Sequence, residues 1–492
     1  MAVMGSDSDG PLGLLRTKKE SRHSQSVTEL ELWDIQTMAP INFKKTIQFG
    51  DKGITVSADG RTFCGISKFA DGLQTLRLDG NVGVIHKGDL GSPRSVLRIN
   101  SGVPNYDGSL IFCGSSGVRT YNRQLADRYK FSVLLPTSDP RYAISIHEGR
   151  ITRPLSHLKP RKKFVTIRDS TQFKSLYELE GFDVVGSFVG PYYLGTEKRV
   201  AKAGMLGNEP AIRFLPDLKL LVSIPLSRDS IDFRKFDLKH VLDGRKAPYL
   251  HAVSRPPAVA KVGDQIEYQI EALTNAKNVS YKLDTGPEGM TVSSTGKVIW
   301  PVNKVPANGV ASAVVQLEAD NGKTTLHKFE IHVDKEVVVE IAKSDQTAGR
   351  IYYAPSKLDS AQKVLLFDEA FTDVRYGGAG RFGIFHFTDS KKIRIIDLYT
   401  GQQTGSFSVT DNVLFAANRK DLIVVHPTER KLDRWSLSTG TKISTGTFVS
   451  EVDPSVAVMG ASGDGPLAIW GSGEVQLFDS CLLYTSPSPR DS

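Results

Sequence analysis

The stretch of this sequence that most suggests chemistry is a glycine-rich run, Tyr376-Gly-Gly-Ala-Gly-Arg-Phe382. Such a run can hold a phosphate when a helix follows it within a βαβ unit, because backbone N–H groups then point at the phosphate. Here the next residues, Phe382-Gly-Ile-Phe-His-Phe387, have the composition of a strand. We therefore expect a tight loop that enters a strand, and no phosphate cradle.

Histidine and serine could supply metal ligands, a general base or a nucleophile. The ten histidines are dispersed, and no two have the helical i, i+4 spacing of a zinc-protease site. His327 and His332 are five residues apart in strand-like sequence, which predicts that they face opposite sides. The chain has no Gly-x-Ser-x-Gly elbow, and Gly114-Ser-Ser-Gly117 is typical of a turn. The sequence nominates no catalytic residue, no metal ligand and no cofactor-binding residue.

The cysteine content and the net charge exclude further classes of protein. Three cysteines in 492 residues cannot build a disulfide framework or a four-cysteine zinc site, and we expect Cys64 and Cys113 to be buried thiols in strands. The net charge of +8 is mild for this length. The short basic clusters Arg16–Lys19 and Lys159–Lys163 are interpreted as solvated loops, so nucleic-acid binding is not predicted.

Composition and length indicate a globular protein of several domains. Hydrophobic residues make up 40% and charged residues 24%, which excludes disorder of the whole chain. A chain of 492 residues predicts about two to four folded units. No apolar run approaches the ~20 residues that span a bilayer.

The two ends depart from the rest of the sequence. Residues 1–28 have no signal-peptide pattern, and we expect residues 1–26 to be disordered. Residues 481–492 resemble the translation of a sequencing adapter, so we treat them as a foreign tail and expect the native C-terminus to be missing.

The elements that must position any site are strands. Runs rich in Val, Ile, Phe, Tyr and Thr alternate with Gly, Asp, Asn and Pro clusters, which predicts an all-β protein. Asp59-Gly60 lies between two such runs and indicates a hairpin turn. Tyr106–Cys113 repeats the pattern 48 residues later. Helical periodicity is confined to short stretches such as Asp237–Leu242.

A second sequence pattern, which we call the recurring phrase, occurs several times along the chain. Leu32-Trp-Asp-Ile-Gln-Thr37, Ile395-Ile-Asp-Leu-Tyr-Thr-Gly401 and Arg434-Trp-Ser-Leu-Ser-Thr-Gly440 share an apolar strand followed by a turn, and Phe233–Leu238 is a weaker copy. Asp397 and Ser436 in the second and third copies are 39 residues apart. Four strands in each period of about 40–48 residues are typical of a β-propeller.

These residues resemble the WD-repeat superfamily, especially the degenerate repeats of large bacterial multidomain proteins. The resemblance spans 27–245 and 336–480, although only Trp33-Asp34 is a literal Trp-Asp and the Gly-His dipeptide is absent. It implies a propeller of about seven or eight blades, with about five blades in the first part and three in the second.

Residues 250–334 have a different pattern. They resemble the bacterial putative-immunoglobulin, or cadherin-like, β-sandwich. The residues on the family pattern are Pro256, Pro257, Gly263, Tyr268, Pro287, Gly289, Met290, Thr295, Gly296, Ile299 and Trp300. We expect Trp300 to fill the space between two sheets. Calcium is not predicted, because Asp320-Asn321 is better interpreted as a hairpin turn.

Two arrangements of these parts are open. Either one propeller carries an inserted sandwich, or two partial propellers flank it, and we expect the first because a sector of three blades would leave unpaired faces. The expected domains are a disordered segment at 1–26, propeller parts at 27–249 and 335–480, an immunoglobulin-like sandwich at 250–334 and the tail at 481–492.

We expect the function of this protein to be binding through its surface loops and sheets. The resemblances imply a non-enzymatic scaffold that binds protein partners through propeller loops and the sandwich, in an envelope or extracellular setting. The alternative is a propeller-type enzyme, or the regulatory part of an enzyme whose catalytic domain lies beyond the missing terminus.

Overall fold

A computed structural model of the chain describes part of its length. The described residues are 2–3, 11–18, 27–34, 39–41, 47–49, 54–66, 73–79, 82–87, 103–112, 118–120, 125–127, 133–137, 139–148, 163–179, 205–206, 209–210, 212–225, 227–257, 259–307, 309–334, 358, 360–448, 453–471 and 474–479. Cys113, residues 114–117 and the tail 481–492 lie outside them, as does the side chain of His332. The described part is all-β apart from one short helix.

Strands β1–β22 precede that helix. They are β1 (Ala2–Val3), β2 (Leu12–Lys18), β3 (Val27–Asp34), β4 (Ala39–Ile41), β5 (Ile47–Phe49), β6 (Ile54–Val56), β7 (Thr62–Ile66), β8 (Leu73–Asp79), β9 (Val82–Lys87), β10 (Val103–Pro104), β11 (Leu110–Phe112), β12 (Val118–Thr120), β13 (Leu125–Asp127), β14 (Val133–Pro136), β15 (Tyr142–Glu148), β16 (Lys163–Asp169), β17 (Ser175–Leu179), β18 (Met205–Leu206), β19 (Glu209–Pro210), β20 (Ile212–Leu215), β21 (Leu220–Ser223) and β22 (Ser230–Lys235).

Helix α1 (Leu238–Gly244) follows, where the sequence shows helical periodicity. The Asp237 carboxylate accepts a hydrogen bond from the His240 N–H at 3.1 Å and so caps the helix N-terminus.

The next strands belong to the segment that resembles a sandwich. They are β23 (Leu250–Ala252), β24 (Val259–Lys261), β25 (Gln265–Gln269), β26 (Ala272–Thr274), β27 (Val279–Thr285), β28 (Thr291–Val292), β29 (Lys297–Pro301), β30 (Val310–Ala319) and β31 (Thr324–Asp334).

The last strands complete the described chain. They are β32 (Gln362–Leu366), β33 (Asp373–Gly377), β34 (Phe382–Phe387), β35 (Lys392–Asp397), β36 (Gln402–Ser408), β37 (Leu414–Ala417), β38 (Asp421–His426), β39 (Lys431–Ser436), β40 (Lys442–Thr447), β41 (Val456–Val458), β42 (Leu467–Gly471) and β43 (Glu474–Phe478).

Outside the segment 250–334, the strands form a series of antiparallel sheets. We number them sheet I (β1–β5), II (β6–β9), III (β10–β13), IV (β14–β17), V (β20, β21, β22 and β32), VI (β33–β36), VII (β37–β40) and VIII (β41–β43). Sheets II, III, IV, VI and VII each pair four consecutive strands in chain order, which is the topology of a propeller blade. The first strands of sheets VI, VII, VIII, I, II and III contact one another in that order, as the inner strands of blades do.

The recurring phrase of the sequence falls on the third strand of a sheet. Trp33 and Asp34 end β3, Asp397 ends β35 and Ser436 ends β39. The repeat therefore reports the same structural position in successive sheets, followed by the turn into the fourth strand.

Burial on both faces explains the continuous apolar runs. Every residue of β34 is buried, and alternate side chains join different cores: Phe385 packs with sheet V, and Ile384 packs with sheet VII. In β38, Val424 packs toward sheet VI, and Val425 packs toward sheet VIII. Neighbouring sheets thus cover both faces of the second strand.

The N-terminal region differs from the expected disorder of 1–26. Leu12–Lys18 forms β2, which pairs with β3 from Leu12↔Trp33 to Lys18↔Val27. Leu12 and Leu14 are fully buried and pack against Ala468 and Leu477 of sheet VIII. The short apolar piece at Leu12–Leu15 therefore contributes to the core, because the last sheet of the chain provides an apolar surface for it.

The segment 250–334 is inserted within sheet V. The third strand of sheet V, β22, ends at Lys235, and the fourth strand of the same sheet, β32, begins at Gln362. The two pair antiparallel, from Ser230↔Leu366 to Arg234↔Gln362. The chain therefore leaves one sheet after its third strand and returns to it as the fourth.

The inserted segment folds as two sheets around one core. Strands β24, β31, β30 and β27 form one sheet, strands β25, β29 and β28 form another, and β23 pairs with β26. Trp300 is 2% exposed between the two sheets, and its Nε1 donates to the Glu288 carbonyl at 3.3 Å. Asp320 lies in the turn between β30 and β31, where its carboxylate accepts the N–H groups of Lys277 and Asn278.

The chain divides into two compact units. Unit 1 comprises Met1–Tyr129, Asp183–Lys235 and Val338–Ser492, and unit 2 comprises Lys130–Phe182 and Phe236–Val337. Unit 2 thus combines sheet IV with the inserted segment. α1 has seven residues, and no helix in the described part of the chain is long and apolar enough to cross a membrane.

Within unit 2, the turns of sheet IV hydrogen-bond to the inserted segment. Arg255 Nη1 donates to the Ser170 carbonyl at 2.7 Å, and Thr171 Oγ1 donates to the Ser254 carbonyl at 3.2 Å. Arg141 also pairs with Glu271 at 3.1 Å. Both the backbone and charged side chains therefore join the two parts of this unit.

Candidate interaction site

The glycine-rich run lies in the turn between β33 and β34. Gly378, Ala379 and Gly380 have φ angles of +61°, +56° and +86°. Glycine adopts positive φ angles without strain. Three successive residues with positive φ, two of them glycines, reverse the direction of the chain within a short turn. The expected tight loop that enters a strand is confirmed.

The backbone donors of this turn are already used. The N–H groups of 378–381 donate to carbonyl oxygens of the protein: Gly378 to Asn418 at 2.9 Å, Ala379 to Ala461 at 2.8 Å, Gly380 to Gly377 at 3.1 Å and Arg381 to Gly378 at 3.1 Å. A phosphate cradle needs N–H groups that point at the ligand. The turn instead ties sheet VI to sheets VII and VIII.

The turns between the first and second strands of sheets VII and VIII continue this network. The Arg419 N–H donates to the Gly463 carbonyl at 2.9 Å. The Arg419 guanidinium pairs with Asp464, with Nε 3.2 Å from Oδ1, and Lys420 Nζ lies 3.8 Å from the same oxygen. We call Arg213 and the turns 377–381, 418–420 and 460–464 the turn platform.

Sheet V contributes an arginine to the platform. The Arg213 guanidinium lies over the Tyr376 ring, 3.8 Å from its centroid. It also occupies the space beside Gly380, where a Cβ would lie 2.5 Å from Arg213 Nη2. The glycine at 380 therefore allows both the positive φ and the close approach of the arginine.

A buried carboxylate holds the remaining arginine of the platform. Arg381 donates to both oxygens of Asp397, at 3.0 and 2.7 Å, and the Tyr399 N–H donates to Asp397 Oδ1 at 2.8 Å. Asp397 is the last residue of β35, in the recurring phrase. Its carboxylate therefore links two turns at the same end of sheet VI.

Charge and exposure define what the platform can do chemically. It carries the cationic Arg213, Arg381, Arg419 and Lys420, against the anionic Asp464 within it and Asp397 beneath it. The side chains of Arg419, Lys420 and Asp464 are 41%, 70% and 44% exposed. The result is a hydrogen-bonded surface with a positive surplus, suited to recognition of negative groups.

A histidine–carboxylate cluster in sheet VII was missed by the sequence analysis. His426 Nδ1 lies 2.9 Å from Thr410 Oγ1, and its Nε2 lies 3.3 Å from Asp433 Oδ2. Asp433 also accepts from Lys442 at 2.9 Å and Thr445 at 2.8 Å. His426, Asp433 and Lys442 lie on three different strands, and Thr410 lies in the loop before β37. Their spacing is irregular, so no local motif could reveal them.

The contacts of this cluster favour a structural role. A catalytic triad has this order of groups, but Asp433 is only 4% exposed and is held by Lys431, Lys442 and Thr445 besides the histidine. Burial lowers the pKa of His426, although the Asp433 charge opposes the shift. A lowered pKa keeps the imidazole neutral, as expected for a side chain packed within a sheet.

A second buried polar chain lies in unit 2. The Tyr268 hydroxyl lies 2.5 Å from Ser254 Oγ and 2.9 Å from His327 Nε2, and Ser254 Oγ accepts the Glu271 N–H at 2.8 Å. Burial lowers the pKa of His327 to about 4, and the nearby Arg255 charge acts in the same direction. His327 is fully buried, so this group connects strands and faces no ligand surface.

No group of three or more histidine, cysteine, aspartate or glutamate side chains that could hold a metal ion occurs in the described ranges. Cys64 is a buried thiol in β7, as expected.

No family model and no curated protein matches this chain. Comparison with solved structures finds apo AztD from Citrobacter koseri at 12% identity, with 91% of this chain and 97% of that chain covered and a TM-score of 0.30. The β-propeller domain of Myceliophteria thermophila Swd1 is 8% identical, with 97% of this chain and 96% of that chain covered and a TM-score of 0.27. Saccharomyces cerevisiae Sqt1 is 11% identical, with 91% of this chain and 98% of that chain covered and a TM-score of 0.30.

Proposed function

We propose that this protein is a non-catalytic interaction protein whose turn platform binds an acidic segment of a partner protein. The observation that carries the proposal is the platform itself, in which turns of three sheets are hydrogen-bonded to one another and expose Arg419 and Lys420. A surface held by its own backbone loses little conformational entropy when a partner binds.

The proposed architecture is a degenerate propeller with an inserted immunoglobulin-like module. The four-stranded meanders support the propeller, and the two sheets around Trp300 support the module. Because the module hydrogen-bonds to sheet IV within unit 2, we propose that it forms a second binding surface with that sheet and is not a loose spacer.

The test is charge reversal on the platform. Full-length protein carrying Arg419→Glu and Lys420→Glu is compared with wild type in affinity capture from extracts of the source cells, with quantitative mass spectrometry. Each exposed ion contact contributes up to about 1 kcal/mol, and reversal adds repulsion, so partner recovery should fall about tenfold or more.

A matched control changes the same charge elsewhere. At the opposite end of sheet VI, Lys391 lies in the turn between β34 and β35, and Lys392 is the first residue of β35. Lys391→Glu with Lys392→Glu changes the net charge equally. The control should retain the partners. Equal recovery by the platform variant and by wild type would refute the proposal.

A further inference from the structure

Among the residues that the structure describes, β32 is the last strand of sheet V, and a strand pairs with only one of its edges. The Lys235 N–H donates to the Ala361 carbonyl at 2.8 Å, and the Phe367 N–H donates to the Asp229 carbonyl at 2.7 Å. In an antiparallel pair, hydrogen-bonded residues alternate with residues whose backbone groups point away from the partner. These two bonds determine which residues of β32 point outward.

By this alternation, Val364 and Leu366 direct their N–H and C=O groups away from β22. The same two residues expose their side chains, at 50% and 73%. They are two positions apart and so lie on one face of the strand. Backbone groups and apolar side chains are thus presented together at the edge of the sheet.

The corresponding fourth strands of sheets VI and VII are different. In β36 the exposed positions are Gln402, Gln403, Ser406 and Ser408, and β40 exposes Ile443 among polar residues. Polar residues on an outer strand discourage further strand pairing. The adjacent apolar pair of β32 therefore distinguishes it from these two edges.

An exposed carboxylate lies at one end of this edge. The side chain of Asp368 is 97% exposed just beyond Leu366, and one of its oxygens lies 3.6 Å from Arg394 Nη2. Because a contact between charges at this distance and exposure is weak, the carboxylate can also pair with a basic residue of a bound segment.

We propose that β32 binds an extended segment of a partner protein, which adds to sheet V as a fifth strand. The segment carries apolar residues at alternate positions to pack on Val364 and Leu366, and a basic residue beside Asp368. Main-chain hydrogen bonds supply affinity in this mode, and the alternate side chains supply specificity. This edge is separate from the turn platform and does not rest on its function.

The probe is a short fluorescent peptide in which valine alternates with threonine and which ends in lysine. Its binding to the full chain is measured by fluorescence anisotropy. We expect saturable binding that weakens about tenfold or more with Val364→Pro, which removes an outward N–H, and with Leu366→Lys. A peptide methylated on its backbone nitrogens should not bind.

Controls separate this proposal from the preceding one. Ile443→Lys, on the outer strand of sheet VII, and the platform variant Arg419→Glu with Lys420→Glu should both leave peptide binding unchanged. Circular dichroism checks the fold of Val364→Pro, and Leu366→Lys provides the test if the proline variant does not fold.

Two outcomes would overturn the proposal. One is that the wild-type chain does not bind the peptide, or that the Leu366→Lys variant binds it with the same affinity as wild type. The other is self-association in sedimentation experiments that Leu366→Lys abolishes, which would identify a second copy of the chain as the occupant of the edge.

Discussion

At the scale of single residues, two buried carboxylates have several hydrogen-bond partners each. Asp397 accepts three hydrogen bonds from Arg381 and Tyr399, and Asp433 is held by Lys442 and Thr445. A buried carboxylate is costly unless such contacts compensate it. These side chains are therefore understood as parts of the scaffold, and recognition is assigned to exposed residues.

His327 gives a prediction about pH. Its pKa in the folded chain is about 4, whereas an unfolded histidine titrates near 6.5, so between these values the unfolded chain binds a proton that the folded chain does not. The free energy of unfolding of unit 2 should therefore fall on acidification, by about 2 kcal/mol from pH 7 to pH 5.

Urea denaturation of wild type and His327→Phe at the two pH values measures this effect. The substitution should remove that part of the pH dependence, whatever its own cost at pH 7. Replacement of the exposed His240 by glutamine serves as the control. Equal losses on acidification in all three proteins would contradict the assignment.

Trp300 gives a prediction about packing. Its side chain is 2% exposed in the core of the inserted segment, so Trp300→Ala should lower the free energy of unfolding by about 3–5 kcal/mol. Chemical denaturation followed by circular dichroism measures the loss. A loss below about 1 kcal/mol would show that the tryptophan does not fill the core.

At the scale of elements, the close approach of turns to strands decides which glycines are required. Gly401 and Gly440 occupy the same position after the third strands of sheets VI and VII, and both have a φ of +64°. A Cβ on Gly440 would lie 2.2 Å from the Thr404 carbonyl oxygen and 2.3 Å from the Gly405 Cα, which are backbone atoms. A Cβ on Gly401 would meet only side-chain atoms, at 2.9 Å and beyond.

The two glycines should therefore respond differently to alanine. Gly401→Ala should cost about 1–2 kcal/mol for the left-handed backbone alone. Gly440→Ala adds a clash that only movement of β36 can relieve, and its cost should exceed that of Gly401→Ala by about 2 kcal/mol. Denaturation midpoints of the two variants, measured side by side, test this, and equal losses would contradict it.

Elements were also the level at which the sequence was most informative. Asp59-Gly60 and the run at 376–382 were correctly expected in tight turns, and the recurring phrase ending at Gly440 was correctly expected to be a strand followed by a turn. Its position on the third strand of a sheet was not expected. Hairpin turns and strand alternation depend on neighbouring residues, so a local pattern can predict them. The pairing of β2 with β3 and its packing on sheet VIII depend on distant residues, which is why the sequence did not predict the strand at Leu12–Lys18.

At the scale of the whole molecule, the insertion within sheet V is the main organisational feature. Lys235 and Ala361 lie opposite each other and are hydrogen-bonded, a geometry that a two-residue turn can close. The long excursion of the chain between them is therefore not needed to pair β22 with β32.

Replacement of residues 236–360 by Asn-Gly should leave unit 1 folded but less stable, because it also removes the buried Leu358 from the core between sheets V and VI. The far-ultraviolet circular dichroism of the shortened chain should remain that of a β protein, and its remaining transition should have a midpoint below that of unit 1 in the full chain. Aggregation or a missing transition would show that unit 1 requires the inserted segment. The intact chain carrying Trp300→Ala is the comparison that weakens the segment without removing it.

The sequence by itself determined the local structure of this protein: strands separated by turns, a repeat of about 40 residues and a distinct segment at 250–334. These follow from side-chain alternation and turn residues, which act over a few positions. Only the tertiary structure decided that β32 completes sheet V, that the turns of three sheets form one platform, and that His426 meets Asp433. Contacts between residues far apart in sequence depend on how the sheets pack, and no local pattern encodes them.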